Sequence, residues 1–140
     1  MSRTLVVTDA PGTAVPDVIF PGLVAFNDAR AGSSHYRPLA VLVADEAGKI
    51  LGGLSGATFW SWFYIQFFWL PEHLRGAGLG REILARAEAE ARARGCLGVW
   101  LDSFSFQAPG FYQRQGYGVF GTLEDYPPGH RRVFLQKRLD

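Results

Sequence analysis

The chain has 140 residues, 48% of them hydrophobic and 14% aromatic, with 14 Lys and Arg against 13 Asp and Glu for a net charge of +1. That size and apolar content predict one packed domain spanning residues 1–140 and exclude intrinsic disorder, while the charge balance excludes a dedicated nucleic-acid binder, which carries a basic excess. One cysteine and three histidines leave no internal disulfide and no structural zinc, so no metal is expected.

The first residues carry no long apolar stretch, so no signal peptide is read and the cytoplasm is the expected compartment. The most apolar segment, Phe59 to Leu70, is only about twelve residues against the roughly 20 a spanning helix needs. Ser61 and Gln66 break it, and no membrane span is predicted.

In chain order, Arg3 to Thr8 reads as a short first strand. Pro11, Gly12, Pro16, Pro21 and Gly22 then interrupt a region whose later part, Leu23 to Arg30, has helical spacing. A broken helix or two short ones is expected, ending near Gly32. Leu39 to Ala44 and Lys49 to Thr58 are strands around the turn Asp45-Glu46-Ala47-Gly48, and Gly52, Gly53 and Gly56 in the second signal a bulge or a close backbone approach. Phe59 to Leu70 follows as a third strand, and its near-continuous hydrophobicity predicts a central place with both faces covered.

Gly78 to Arg94 is the clearest helix. Leu79, Ile83, Leu84, Ala87 and Ala91 form its apolar stripe, and Glu82–Arg86, Glu88–Arg92 and Glu90–Arg94 are spaced as i,i+4 ion pairs. Gly95 supplies its stop. Cys96 to Phe104 returns as a strand parallel to the one before the helix, making a βαβ crossover. Gln107 to Gln115 is a short helix ended by Gly116. Tyr117 to Glu124 and Arg131 to Leu139 close the chain as antiparallel strands, with His130, Arg131 and Arg132 read as a solvated strand start. Cys96 reads as small core filler.

The chemistry concentrates in Arg75-Gly76-Ala77-Gly78-Leu79-Gly80-Arg81, which joins the third strand to the long helix. Glycines at alternate positions let the backbone approach a ligand, and the helix start offers free N–H groups, so the turn reads as an anion site. It lacks the Gly-x-Gly-x-x-Gly spacing of a dinucleotide fingerprint, and the Lys-Ser/Thr of a phosphate loop.

Two motifs in this order and separation make the chain resemble the GCN5-related N-acetyltransferases, over nearly its whole length. Arg75 to Gly80 matches the family's Gln/Arg-x-x-Gly-x-Gly/Ala motif. Phe111-Tyr112-Gln113-Arg114-Gln115-Gly116-Tyr117 matches its Leu/Phe-Tyr-x-x-x-Gly-Phe/Tyr motif. Trp100 to Ala108 and Asp125 to His130 resemble one bacterial branch without an assigned substrate.

The resemblance implies an α/β acyl-CoA N-acyltransferase (GNAT) fold, with a mixed, mostly antiparallel sheet and helices on both faces. It implies acetyl-CoA as co-substrate, a primary amine of a small molecule as acceptor, and direct attack in a ternary complex. Arg75, Gly76, Ala77, Gly78, Leu79 and Gly80 would hold the pyrophosphate, with Arg81 adding charge. Trp69 and Leu70 would offer strand backbone to the pantetheine arm. Tyr112 is the expected proton donor to the departing thiolate, against the plainer role of a helix-to-strand packing tyrosine. Ser105 stands where relatives often carry asparagine, and would hydrogen-bond the pantetheine or a water. Many relatives place a glutamate on the central strand as base; here no acid lies between Glu46 and Glu72, which leaves Asp102, Glu72, His35 and His73 as candidates.

Phe59, Trp60, Trp62, Phe63 and Tyr64 read as core, or else Trp60 or Trp62 lines an acceptor pocket with Phe104 or Phe106. Rival readings are a non-catalytic acyl-CoA-binding or partner-binding domain, and an enzyme acting on protein or aminoacyl-tRNA amines. Exposed strand edges would permit a homodimer.

Overall fold

The computed structural model describes residues 2–140, which divide into two units, one ending at Ser34 and one running from His35 to the end. In the first unit the expected strand at residues 3–8 is absent. Leu5, Val6 and Val7 are exposed and pair with no strand. β-Branched residues favour a strand only where a pleated neighbour receives them. Instead of a broken helix, a single π-type turn at Val15–Ile19 runs straight into α1, Phe20–Ala31. Pro16 sits in the first turn, where a missing N–H costs little, and Pro21 lies where the π-type turn passes into α1. Gly32, at φ 78°, ends α1.

The second unit opens with β1, Arg37–Ala44, and β2, Ile50–Phe59, paired antiparallel. Asp45 Oδ1 fixes their turn by accepting from the N–H groups of Ala47 and Lys49, both at 2.9 Å. The segment expected as one strand from Phe59 contains a hairpin. Trp60 and Ser61 lie at φ 45° and 64°, and β3 runs from Trp62 to Trp69. Two successive positive φ values match the twist of a two-residue hairpin turn.

The bulge expected in β2 falls at Leu51, opposite Val43 and Ala44 of β1, and the expected close backbone approach is at Gly56, beside a bulge in β3. A Cβ on Gly56 would run into the Tyr64 carbonyl oxygen, so only glycine permits this approach.

After β3 come α2, Leu79–Ala93, and β4, Gly98–Phe104, then α3, Pro109–Arg114, β5, Gly118–Glu124, and β6, Arg131–Arg138. Among the described residues the sheet is six-stranded in the order β1-β2-β3-β4-β6-β5. β3 pairs parallel with β4, completing the crossover through α2, and the other pairings are antiparallel. The mixed, mostly antiparallel α/β sheet is therefore as expected, with β6 inserted between β4 and β5.

Ile83, Leu84, Ala87 and Ala91 of α2 are buried with Leu54, Phe63, Val99, Leu101 and Leu135 of the sheet. Each large side chain of this kind contributes about 1.5–3 kcal/mol. β3 is central, but its far face is not covered throughout: Phe67 and Trp69 are 65% and 59% exposed. Cys96 is buried core filler, and burial pushes its thiol pKa up.

Of the three helix ion pairs, Arg86 meets Glu82 at 2.9 Å and Arg94 meets Glu90 at 3.2 Å. Glu88 does not pair with Arg92. It is buried, and it binds the Tyr117 hydroxyl and Lys137 instead. A carboxylate beside the apolar stripe is desolvated, so it takes the partners that the core provides.

Candidate functional site

The site arises where β3 and β4 stop pairing. Their parallel register runs from Trp62 opposite Gly98 to Ile65 opposite Leu101 and ends there. Gln66 sits in the β3 bulge opposite Ser55 and Gly56, and bulges bend a strand and increase its twist. Beyond this point a cavity of about 620 Å³ lies between the strands. On one side are Gln66, Phe67, Phe68, Trp69 and Leu70; on the other, Asp102, Ser103 and Phe106. The backbone of β3 facing the cavity has no β4 partner, so an extended chain carrying amides can pair with it.

Of the residues predicted to bind the cofactor or donate a proton, four line this cavity: Trp69, Leu70, Arg75 and Tyr112. Arg75 Nε donates to the Leu70 carbonyl at 2.8 Å, which folds the turn back on the end of the strand. Gly76 and Gly78 have φ of 84° and 83°, and Gly78 is the N-cap of α2. That left-handed conformation costs a side chain strain, and it leaves the first N–H groups of α2 uncovered by any capping side chain.

Gly80 lies against the rings of Phe111 and Phe68, which brings α2 close to α3. Gly76, Ala77, Gly78, Leu79, Gly80 and Arg81 belong to the same turn but do not line the cavity, which Arg75 alone of that turn reaches. The residues therefore fit a diphosphate at the helix start with an extended arm along β3.

Tyr112 is set on α3 by ring contacts with Phe68, Phe111 and Tyr117. It is 9% exposed, and its pKa is pushed up to about 12, mainly by burial and further by the Asp102 charge. Among the described residues its hydroxyl has no hydrogen-bond partner, and no fully buried side-chain oxygen is left unpaired. The hydroxyl is thus a protonated donor open to the cavity. Tyr117 takes the packing role: it is buried against Glu88.

Ser105 is not brought to the cavity. Its Oγ accepts from the Arg131 N–H at 3.0 Å and its own N–H donates to Arg131 O, so it continues the edge between β4 and β6. The serine lining the cavity is Ser103, two positions earlier.

Of the candidate bases, Asp102 alone lines the cavity, whereas Glu72, His73 and His35 are exposed elsewhere. Trp62 and, in the turn before it, Trp60 sit at the opposite end of β3, at least seven residues or about 23 Å of strand from Trp69. The Trp62 ring covers Gly98, and of the four aromatic candidates for an acceptor pocket, Trp60, Trp62, Phe104 and Phe106, only Phe106 lines the cavity.

One group was missed by reading the sequence alone. Arg132, expected to be solvated, donates through Nε to Asp102 Oδ1 at 2.7 Å and through Nη1 to the Tyr126 hydroxyl at 3.0 Å. Its guanidinium lies over the rings of Phe104, Tyr126 and Phe134 at 5.2, 5.1 and 5.6 Å. The only signal was alternation along β6, which means nothing until β6 is known to lie beside β4.

Among the described residues no helix is long and apolar enough to cross a membrane. Residues 16–117 match the model of the acetyltransferase (GNAT) family. A blasticidin-S acetyltransferase of Streptomyces morookaense is 45% identical over 107 residues, covering 74% of this chain and 79% of that protein. An acetyltransferase of Agrobacterium fabrum is 36% identical over 133 residues, covering 95% and 97%. The crystal structure of an acetyltransferase from Agrobacterium tumefaciens superposes with a TM-score of 0.92 at 35% identity, covering 98% of this chain and all of that one. The glycine turn, the parted strands and these matches agree: the chain belongs to the GNAT family of acetyltransferases, with acetyl-CoA as its co-substrate.

Proposed function

We propose that the protein moves the acetyl group of acetyl-CoA to a primary amine of a small molecule, by direct attack within a ternary complex. The observation that carries this reading is the cavity between β3 and β4, with the Tyr112 hydroxyl open to it. Acetyl-CoA supplies the activated thioester, so that a C–N bond forms as the C–S bond breaks.

The chain's residues account for position and protons. The turn Arg75 to Gly80, with Arg81, would hold the diphosphate, and the β3 backbone at Trp69 and Leu70 would align the arm. The amine must first shed its ammonium proton to solvent, then lose a second as the amide forms. Tyr112 donates its phenolic proton toward the sulfur and regains one from the nitrogen through solvent. A phenol near 12 is a weaker acid than a thiol near 8.5 in water. Transfer therefore depends on the thiolate being as poorly solvated as the phenol, which the cavity wall favours.

Direct attack is supported by what the site lacks. The chain's one cysteine, Cys96, is buried in the core and its thiol is pushed toward the protonated form, so it is no acyl carrier. A small-molecule acceptor is supported by the name of the 45% identical relative and by a net charge of +1, which gives little attraction for nucleic acid.

Initial-rate kinetics with acetyl-CoA and a panel of amines that includes blasticidin S test the reading. Intersecting lines with amine-dependent thiol release are expected. Parallel lines, or thiol release indifferent to every amine, would overturn it in favour of a covalent intermediate or a non-catalytic acyl-CoA binder.

A further inference from the structure

The cavity between β3 and β4 is lined by one carboxylate, Asp102, and its two oxygens are treated differently. Asp102 Oδ1 accepts from Nε of Arg132 at 2.7 Å, and Nη2 of the same guanidinium lies 2.7 Å from it as an ion pair. Oδ2 accepts no hydrogen bond from the described residues. Since no fully buried side-chain oxygen among them lacks a partner, Oδ2 must be open to solvent, although the side chain is only 13% exposed. Asp102 also shares the cavity wall with Tyr112. A carboxylate that is clamped at one oxygen and open at the other has a fixed direction in which to accept a charged donor.

The surroundings limit what that donor is attached to. Phe106 lines the cavity and is 55% exposed; its ring lies 5.4 Å from Phe104, which lies 5.5 Å from Tyr126. No other acidic side chain lines the cavity, and its other charged residue is the cation Arg75. A polycation would therefore bring charges for which the wall has no partner, beside an arginine that repels them.

We infer that Asp102 is the acceptor-binding carboxylate: Oδ2 takes the ammonium of a singly charged amine, with the amine's aromatic or apolar body against Phe106. Arg132 is the positioning residue that fixes the direction of Asp102 and is itself fixed by the rings around it. This assignment rests on the acetyl-transfer reading for its purpose, but not for its geometry.

The test uses the full chain saturated with coenzyme A, titrated calorimetrically with 2-phenylethylamine, its neutral counterpart 2-phenylethanol, and spermidine. The wild type should bind 2-phenylethylamine at least about tenfold more tightly than either other probe, as a charge-assisted contact provides. Asp102→Asn should abolish that preference without changing coenzyme A affinity. Arg132→Gln should raise the KM for the amine by about tenfold while leaving kcat and the KM for acetyl-CoA nearly unchanged. Equal binding of the alcohol, tighter binding of spermidine, no binding of 2-phenylethylamine, or an unaffected Asp102→Asn variant would each overturn the assignment. The wild-type comparison of amine with alcohol stands even where a variant fails to fold. Asp102-dependent binding without acetylation would sink the acetyl-transfer reading and leave the site assignment standing. Acetylation at wild-type kcat/KM by Asp102→Asn would do the reverse.

Discussion

The Tyr117 hydroxyl donates to Glu88 Oε2 at 2.6 Å, tying the entry of β5 to the middle of α2. Lys137 Nζ of β6 reaches the same carboxylate at 3.0 and 3.2 Å and also donates to the Gln115 carbonyl. Glu88→Ala would strand a partly buried ammonium and a buried phenol, so a loss of about 2–4 kcal/mol is expected. Tyr117→Phe leaves Glu88 with Lys137 and should cost about 1–2 kcal/mol. Urea unfolding of the two variants should rank them in that order; a smaller loss for Glu88→Ala would contradict the picture.

Two tyrosines make the fold sensitive to alkali. Burial pushes Tyr112 up to about 12 and, together with the bond to Glu88, pushes Tyr117 higher still. The unfolded chain ionises near 10, so between pH 10 and 12 it binds fewer protons than the folded chain, and stability falls as pH rises. Below pH 10 neither group contributes to the slope. For Tyr112 the two-unit difference amounts to about 2–3 kcal/mol by pH 12. Tyr112→Phe should flatten the decline of the unfolding midpoint across that window, and an unchanged slope would refute the assignment.

The same substitution tests the chemistry at neutral pH. Tyr112→Phe keeps the ring packing against Phe68 and Phe111 but removes the hydroxyl proposed as donor. A loss of about 10²-fold or more in kcat is expected, with the KM for acetyl-CoA nearly unchanged. Because the phenol stays protonated far above pH 10, the wild-type rate should show no alkaline limb from Tyr112 below that pH. Stopped-time assays of thiol release over pH 6 to 10 measure both.

Gly78 caps α2 at φ 83°, and a Cβ there would meet nothing closer than Arg81 Nη2 at 3.7 Å. Gly78→Ala therefore costs conformation rather than space, about 1–2 kcal/mol. If the turn relaxes to relieve it, acetyl-CoA affinity should drop by about tenfold while the amine KM holds. Gly56→Ala is the contrast. It forces a Cβ into the Tyr64 carbonyl within the sheet, and should cost about 1–3 kcal/mol of stability.

The residues proposed to hold the cofactor could be picked out in the chain because they are local. Arg75 to Gly80 and Phe111 to Tyr117 are each contiguous, and the spacing between them follows from one βαβ crossover. The pairing of Asp102 with Arg132, on which the proposed acceptor site rests, could not be, because it is assembled by strand order. Asp102 faces Phe134 and neighbours Arg132 only because β6 returns between β4 and β5. Residue spacing within β6 carries no trace of that insertion. Glu88 was misread for a related reason: i,i+4 spacing describes an isolated helix, and the core partners Tyr117 and Lys137 lie 29 and 49 residues away.

Only four residue pairs, Trp62–Gly98 to Ile65–Leu101, join β3 to β4. The sheet is thus two three-stranded leaves stitched along a short seam, with α2 as the strap outside it. A substrate arm that lies along the open backbone of β3 would lengthen the stitching by several hydrogen bonds. Binding and cohesion then become one quantity, so amide exchange at residues 66–69 should slow on loading in proportion to the gain in melting temperature. An acetyl donor with a shortened arm would hold the diphosphate turn yet leave the leaves free to part.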